Sequence, residues 1–395
     1  MTVKGTDFYY IAMTGLKPLM PQIKNKYGKY WVTACRNIYG VDDLNPRFDG
    51  VYETPWGERP NEFYKPPELI HINDSLNDIL DARAIEVNEF AKSTNRKLAV
   101  MWSGGIDSTT LLVALLKNLS PADQKNIVIH MSSDIINENP EFYQRFVAGK
   151  FECVSSHNFN LNNEFLSTHL MLHGDPADGI FGPGLAMIKP FFPDGSNKSL
   201  WKNQIDKIVD GIVAFKHLHK HAGPSADVDD HEWGYWYTNK LAHNIETSVA
   251  RDFVFTVEDF WWWNYFNIKY ECVAQQHALL DYKRYYTEDI SHENYVAYVK
   301  NTFFHTDKFQ VWSYSNKDTL YGNGGQSHKL AAKQYIYEFD KNDDYLENKR
   351  KMPSVKGKYW RHANPACFSK LWRAYRFDNP LVKDWLVDCL ENYKG

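Results

Sequence analysis

The chain has 395 residues, 43% of them hydrophobic and 24% charged, which suits one large domain or two of ordinary size with a substantial core and excludes general disorder. A formal net charge of −4 gives no support to nucleic-acid binding by bulk electrostatics, although a local basic groove is compatible with it. Five scattered cysteines without a Cys-x-x-Cys pair, no apolar run near the ~18 residues of a membrane span, and no signal-like N-terminus set the expectation of a cytoplasmic protein without disulfides or structural zinc.

In chain order, residues 1–75 read as a small N-terminal segment of strands and loops. Its apolar runs are 8–13 and 30–34, and a Pro- and charge-rich arm follows at 52–67. Residues 76–91 carry a helical stripe of Leu76, Ile79, Leu80, Val87 and Phe90, with Ile85 off the stripe and Asp74 or Ser75 available as a cap. Residues 97–102 predict a short buried strand and 108–119 a helix that Pro121 ends. Residues 126–131 predict a second strand, 140–148 another helix, and 151–154 and 170–173 two further strands. Strands alternating with helices predict an α/β fold with a doubly wound parallel sheet over 76–200. Ligands of such sheets bind beyond the carboxyl ends of the strands.

Residues 201–395 read as a mainly helical lobe, with helical patterns at 257–278 and 325–339. The Trp261-Trp262-Trp263 triplet would spread over more than half a helix circumference, which favours packing over a platform for bases. The cluster His217, His219 and His221 sits before Gly223-Pro224 and an acidic run. Metal binding and a solvated loop are both compatible with it, and the solvated loop is the expectation.

The chemistry concentrates at two segments. In the first, Ser103-Gly104-Gly105-Ile106-Asp107-Ser108-Thr109 joins a predicted strand to a predicted helix. Gly104 and Gly105 allow the backbone to approach an anion, and the N–H groups and dipole of the helix start face it. Ser103, Ser108 and Thr109 add hydroxyl donors. A carboxylate among anion-binding groups would repel phosphate, so Asp107 predicts a bridging Mg²⁺. The second segment, His173-Gly174-Asp175-Pro176-Ala177-Asp178-Gly179-Ile180-Phe181-Gly182, also follows a predicted strand.

The first loop resembles the Ser-Gly-Gly-x-Asp-Ser loop of the ATP pyrophosphatases, which cleave ATP between the α and β phosphates. The second resembles the Ser-Gly-Glu-Gly-Ser-Asp-Glu-x-Phe-Gly motif of the asparagine synthetase and β-lactam synthetase family. There Gly174, Asp178, Phe181 and Gly182 agree and Asp175 keeps a carboxylate, while His173, Pro176, Ala177 and Gly179 depart from the pattern. The resemblance implies an adenine nucleotide α-hydrolase-like fold and ATP and Mg²⁺ as cofactors. Asp107 and Asp178 would be the metal ligands, and Gly174 would join the phosphate loop in nucleotide binding. Met131 and Ser132 would lie against the adenine, and Asp175 would position or deprotonate the nucleophile. Lys329 and Lys333 match the spacing of the family's Lys-x-x-x-Arg pair and would neutralise the leaving pyrophosphate.

The function implied is an AMP-forming ligase that adenylates a small-molecule carboxylate or carbonyl acceptor and passes it to ammonia or an amine. Thr2 stands where the family's glutaminase has its nucleophilic Cys, so the nitrogen is expected from free ammonia, another amine or a separate amidotransferase subunit. Two other readings stay open at this point. One is an enzyme of the same superfamily acting on a nucleobase or tRNA. The other is a nucleotide-binding scaffold that has lost catalysis.

Overall fold

The structure, a computed structural model, describes residues 20–35, 48, 55, 66–131, 133–155, 163–182, 192–218, 228–270, 273, 294, 297–298, 301–320, 329–349 and 387–395. Two compact units are interleaved along the chain. One draws on residues 1–66, 184–280 and 368–395, the other on 67–183 and 281–367.

The second unit holds the sheet. Four strands, β1 (Lys97–Met101), β2 (Ile127–Met131), β3 (Glu152–Ser155) and β4 (His169–Leu172), pair in parallel in the order β3-β2-β1-β4. Leu98 lies opposite Ile127 on β2 and Leu170 on β4, and Ile129 opposite Cys153 on β3. β2 is buried along its whole length and β1 over residues 98–100, which explains why both strands read as largely apolar runs rather than alternating ones. The chain runs outward from β1 through β2 to β3 and returns to add β4 on the other side of β1. The order therefore reverses between β1 and β4, and at such a point the connections that leave the two strands diverge and open a crevice.

The helix Ile106–Asn118 follows β1 and buries the row Leu111, Leu112 and Leu115. The helices Leu76–Ser93 and Leu330–Asp340 pack against it. Ser75 caps the first of these through Asp78 N, and Ile85, the residue off the apolar stripe, is exposed. Asp81 ties all three helices together: it accepts from Lys117, Asn118 and Tyr335, the last at 2.5 Å. Those donors hold its carboxyl below the usual range against the upward push of burial. The predicted helix at 140–148 begins as one at Pro140–Phe142 and widens into a π turn over Tyr143–Val147.

The first unit is helical in its described residues apart from an isolated antiparallel bridge between Leu200 and Thr256. The run 30–34, expected as a strand, lies instead within the helix Lys26–Ala34. Asn25 caps this helix by accepting from Tyr27 N. Tyr30, Trp31, Val32, Thr33 and Ala34 are all buried, so the segment is enclosed on every side and its β-prone side chains are outweighed by packing. Trp233, on the helix Asp230–Thr247, donates to Tyr30 O within the same cluster. Trp261, Trp262 and Trp263 are buried together in the helix Val257–Trp263, in keeping with a packing role. The run 8–13 lies outside the described residues, as do His219 and His221.

Candidate active site at the reversal of the sheet

The loops that leave β1, β2 and β4 meet beside the start of the helix Ile106–Asn118. At the β1 loop, Gly104 has a φ of +69°, and a methyl group there would lie 2.8 Å from Glu138 Cβ and 3.0 Å from Ile135 O. Only glycine satisfies both the left-handed backbone and the close approach of the β2 loop. At the β4 loop, a methyl on Gly174 would come 2.9 Å from Ser108 N and 3.0 Å from Asp107 Cβ. The β4 loop thus lies against the first turn of the helix with no room for a side chain.

Within the β1 loop, Ser103 and Ser108 share a 2.9 Å hydroxyl contact, Ser103 N donates to Ser108 Oγ at 3.1 Å, and Gly105 N points to Ser103 Oγ at 3.4 Å. Gly105 is the N-cap, and no side chain caps the helix start. A helix start of this kind, with its amides and the positive end of its dipole, favours an anion nearby. Thr109 has a different task. It is fully buried and its hydroxyl accepts from the Trp102 indole at 3.1 Å.

The electrostatic centre of the site is Lys329. It caps the helix Leu330–Asp340 with a left-handed φ of 52°, and only 3% of its surface is exposed. Its ammonium donates to both oxygens of Asp107 and lies 2.5 Å from Asp178 Oδ1. Asp107 belongs to the first turn after β1, and Asp178 to the short helix Ala177–Ile180 after β4. Burial by itself would depress the lysine, but the two carboxylates outweigh it and hold the ammonium well above its ordinary value. Two anions around one cation leave a formal surplus of one negative charge beside uncapped amides.

Lys333 does not join this cluster. It is buried, its Nζ points to Lys349 O at 3.3 Å, and burial lowers its pKa. The two lysines, expected to meet one anion, have different partners: Lys329 the two acids, Lys333 a backbone carbonyl. Lys349, which ends the helix Asp343–Asn348, holds the β2 loop by donating to Glu138 O at 2.8 Å and to Glu138 Oε1 at 2.5 Å. Glu138 and Lys349 were not predicted as site residues. Lys349 falls in the basic run Lys349-Arg350-Lys351, and Glu138 has no motif around it.

Asp175 lies in the turn between β4 and the short helix, joined to Pro176 by a cis peptide. His173, at the end of β4, is buried and its Nε2 lies 3.3 Å from Tyr298 Oη. Met131 ends β2 as a buried residue, and Ser132 lies outside the described residues. Among the described residues no group of three or more His, Cys, Asp or Glu is arranged to hold a metal, and no helix is long and apolar enough to cross a membrane. Comparison with protein-family models, with curated proteins and with solved structures found no match.

Proposed function

We propose that the chain is an AMP-forming, ATP-dependent ligase of the asparagine synthetase type, built on a doubly wound ATP pyrophosphatase fold. The observation that carries this reading is the meeting of Asp107 and Asp178, from two loops 71 positions apart in sequence, around one buried cation at the reversal of the sheet. Against the alternative of a nucleotide-binding scaffold that has lost catalysis, the reading rests on the retention of both acids, Asp107 and Asp178, at one place.

In this reading the triphosphate lies over Ser103, Gly104 and Gly105 and on the first-turn amides of the helix, with the β4 loop at Gly174 closing one side. Asp107 and Asp178 would hold Mg²⁺, whose charge offsets that of the phosphates. The donor set suits that ion: oxygens of both carboxylates already converge on a single cation, the Lys329 ammonium. A carboxylate oxygen of the acceptor attacks the α phosphorus, the bond to the β-phosphate oxygen breaks, and pyrophosphate leaves with its electron pair. An amine or ammonia then adds to the activated carbonyl, loses a proton, and expels AMP. Asp175, in the turn before the short helix, is the group assigned to orient that amine and take the proton.

The test is isotopic. With an acceptor carboxylate labelled with ¹⁸O, the reading requires one ¹⁸O atom to appear in the AMP. Transfer of label to inorganic phosphate, with ADP as the nucleotide product, would replace adenylation with phosphorylation.

A further inference from the structure

The position of Lys329 has a consequence for how the proposed site is loaded. A metal ion bridging Asp107 and Asp178 needs oxygens that converge on one point about 2 Å away, and that point is taken by the lysine ammonium. A buried ammonium and a divalent cation cannot share it, because like charges a few ångström apart in a poorly solvated site repel strongly.

We propose that Lys329 is the resident counter-ion of the Asp107–Asp178 pair, and that a divalent cation reaches the pair only by displacing it. The proposal rests on the metal reading above and adds an order of events. Without nucleotide the two acids are neutralised internally and the site has little affinity for free metal. Nucleotide phosphates supply a second set of anions for the displaced ammonium, so metal and nucleotide enter together. The backbone supports this role. Lys329 caps its helix with a φ of 52°, a conformation that an L-residue adopts at some cost, and it gains no side-chain capping bond there. What the conformation achieves is delivery of Nζ to the two acids, while Lys333, one turn further on, points to a backbone carbonyl instead.

The experiment measures Mn²⁺ binding to the full chain in the absence of nucleotide, by the loss of the free-ion EPR signal. Wild type is compared with Lys329→Gln and Lys329→Arg, each checked for folding by circular dichroism. Lys329→Gln is expected to bind Mn²⁺ at least tenfold more tightly than wild type, whereas Lys329→Arg, which keeps the charge, gains nothing. Asp178→Asn added to Lys329→Gln should abolish the gain. Equal Mn²⁺ affinity in wild type and Lys329→Gln would overturn the proposal.

If Lys329→Gln does not fold, the wild-type chain supplies the second measurement, the reactivity of Lys329 toward acetic anhydride mapped by peptide mass spectrometry. Acetylation should be low in metal-free buffer and rise several-fold only at Mn²⁺ concentrations high enough to overcome the pair's weak affinity in the absence of nucleotide. Mn²⁺ binding with Lys329 still protected would overturn the proposal. None of these measurements uses ATP turnover, so a failure here is distinguishable from failure of the ligase reading, which would appear as absence of AMP.

Discussion

Lys329 Nζ lies 2.5 Å from Asp178 Oδ1 while also donating to both oxygens of Asp107, so one buried ammonium joins the loop after β1 to the loop after β4. The lysine is reached only through the chain's return at residues 281–367, so the cluster unites distant parts of one unit.

Removing one partner from a buried charge cluster costs more than the cluster's net worth, because the charge left behind is uncompensated. Lys329→Met leaves two facing carboxylates without their cation and should destabilise this unit by about 3 kcal/mol, whereas Asp107→Asn leaves Lys329 paired with Asp178 and should cost less. The double variant should cost less than the sum by at least ~1 kcal/mol, since it removes both sides of one interaction. Urea denaturation of the four proteins checks this. Strict additivity would mean the contact carries no coupling.

The two loop glycines separate strain from crowding. Gly149→Ala places a methyl at a φ of +70° with nothing within 4 Å, so it should cost only about 1 kcal/mol of backbone strain. Gly104→Ala, at a nearly identical φ of +69°, adds collisions with Glu138 Cβ and Ile135 O and should cost about 1–2 kcal/mol more. Equal melting temperatures for the two variants would show that the β2 loop yields without penalty.

The sheet also sets a pH dependence. Burial and the neighbouring His169 lower the pKa of His130, and burial likewise lowers that of His169, both from an ordinary 6.5. The unfolded chain therefore takes up protons more readily than the folded one. The associated stability is fully present above about pH 6.5 and is lost as the pH falls toward the depressed folded values. Thermal melts from pH 7.5 to 5 should show falling stability, and His130→Asn should flatten that slope. An unchanged slope would assign the acid sensitivity to other groups.

Much of the fold was legible because it rests on local signals. β1, β2 and β4 are short apolar runs bounded by turn residues, and the helix after β1 carries leucines at helical spacing, so each appears within a residue or two of its expected limits. The segment 30–34 was not legible as a helix. Tyr30, Trp31 and Val32 favour strands locally, and only the all-round burial of the Lys26–Ala34 helix reverses that preference. At the candidate site, Gly104 and Asp107 stand out in a small-residue turn between a strand and a helix, and Asp178 only through the resemblance of its loop to a family motif. The union of Lys329 with both acids was not legible, since it depends on contacts more than 150 residues apart and on a cap conformation that leaves no mark in composition. The Lys349–Glu138 clamp was missed for the same reason.

That clamp gives a further test. Lys349→Met would leave Glu138 as a partly buried carboxylate without its partner, 2.5 Å away in the wild type, and would release the β2 loop that rests on Gly104. The expected result is a KM for ATP raised roughly tenfold, about 1.4 kcal/mol, with a smaller effect on kcat. A change in kcat alone would point instead to direct contact with the reacting groups.

Cleavage of ATP between its α and β phosphates is what separates the proposed adenylating ligase from a phosphorylating enzyme. The most direct measurement is ³¹P NMR of ATP incubated with the purified protein, Mg²⁺, ammonia and pools of carboxylate acceptors, with Asp107→Asn in parallel. AMP and pyrophosphate are expected in equal amounts, dependent on one acceptor pool and absent with the variant. Formation of ADP and inorganic phosphate by the wild-type protein would contradict it.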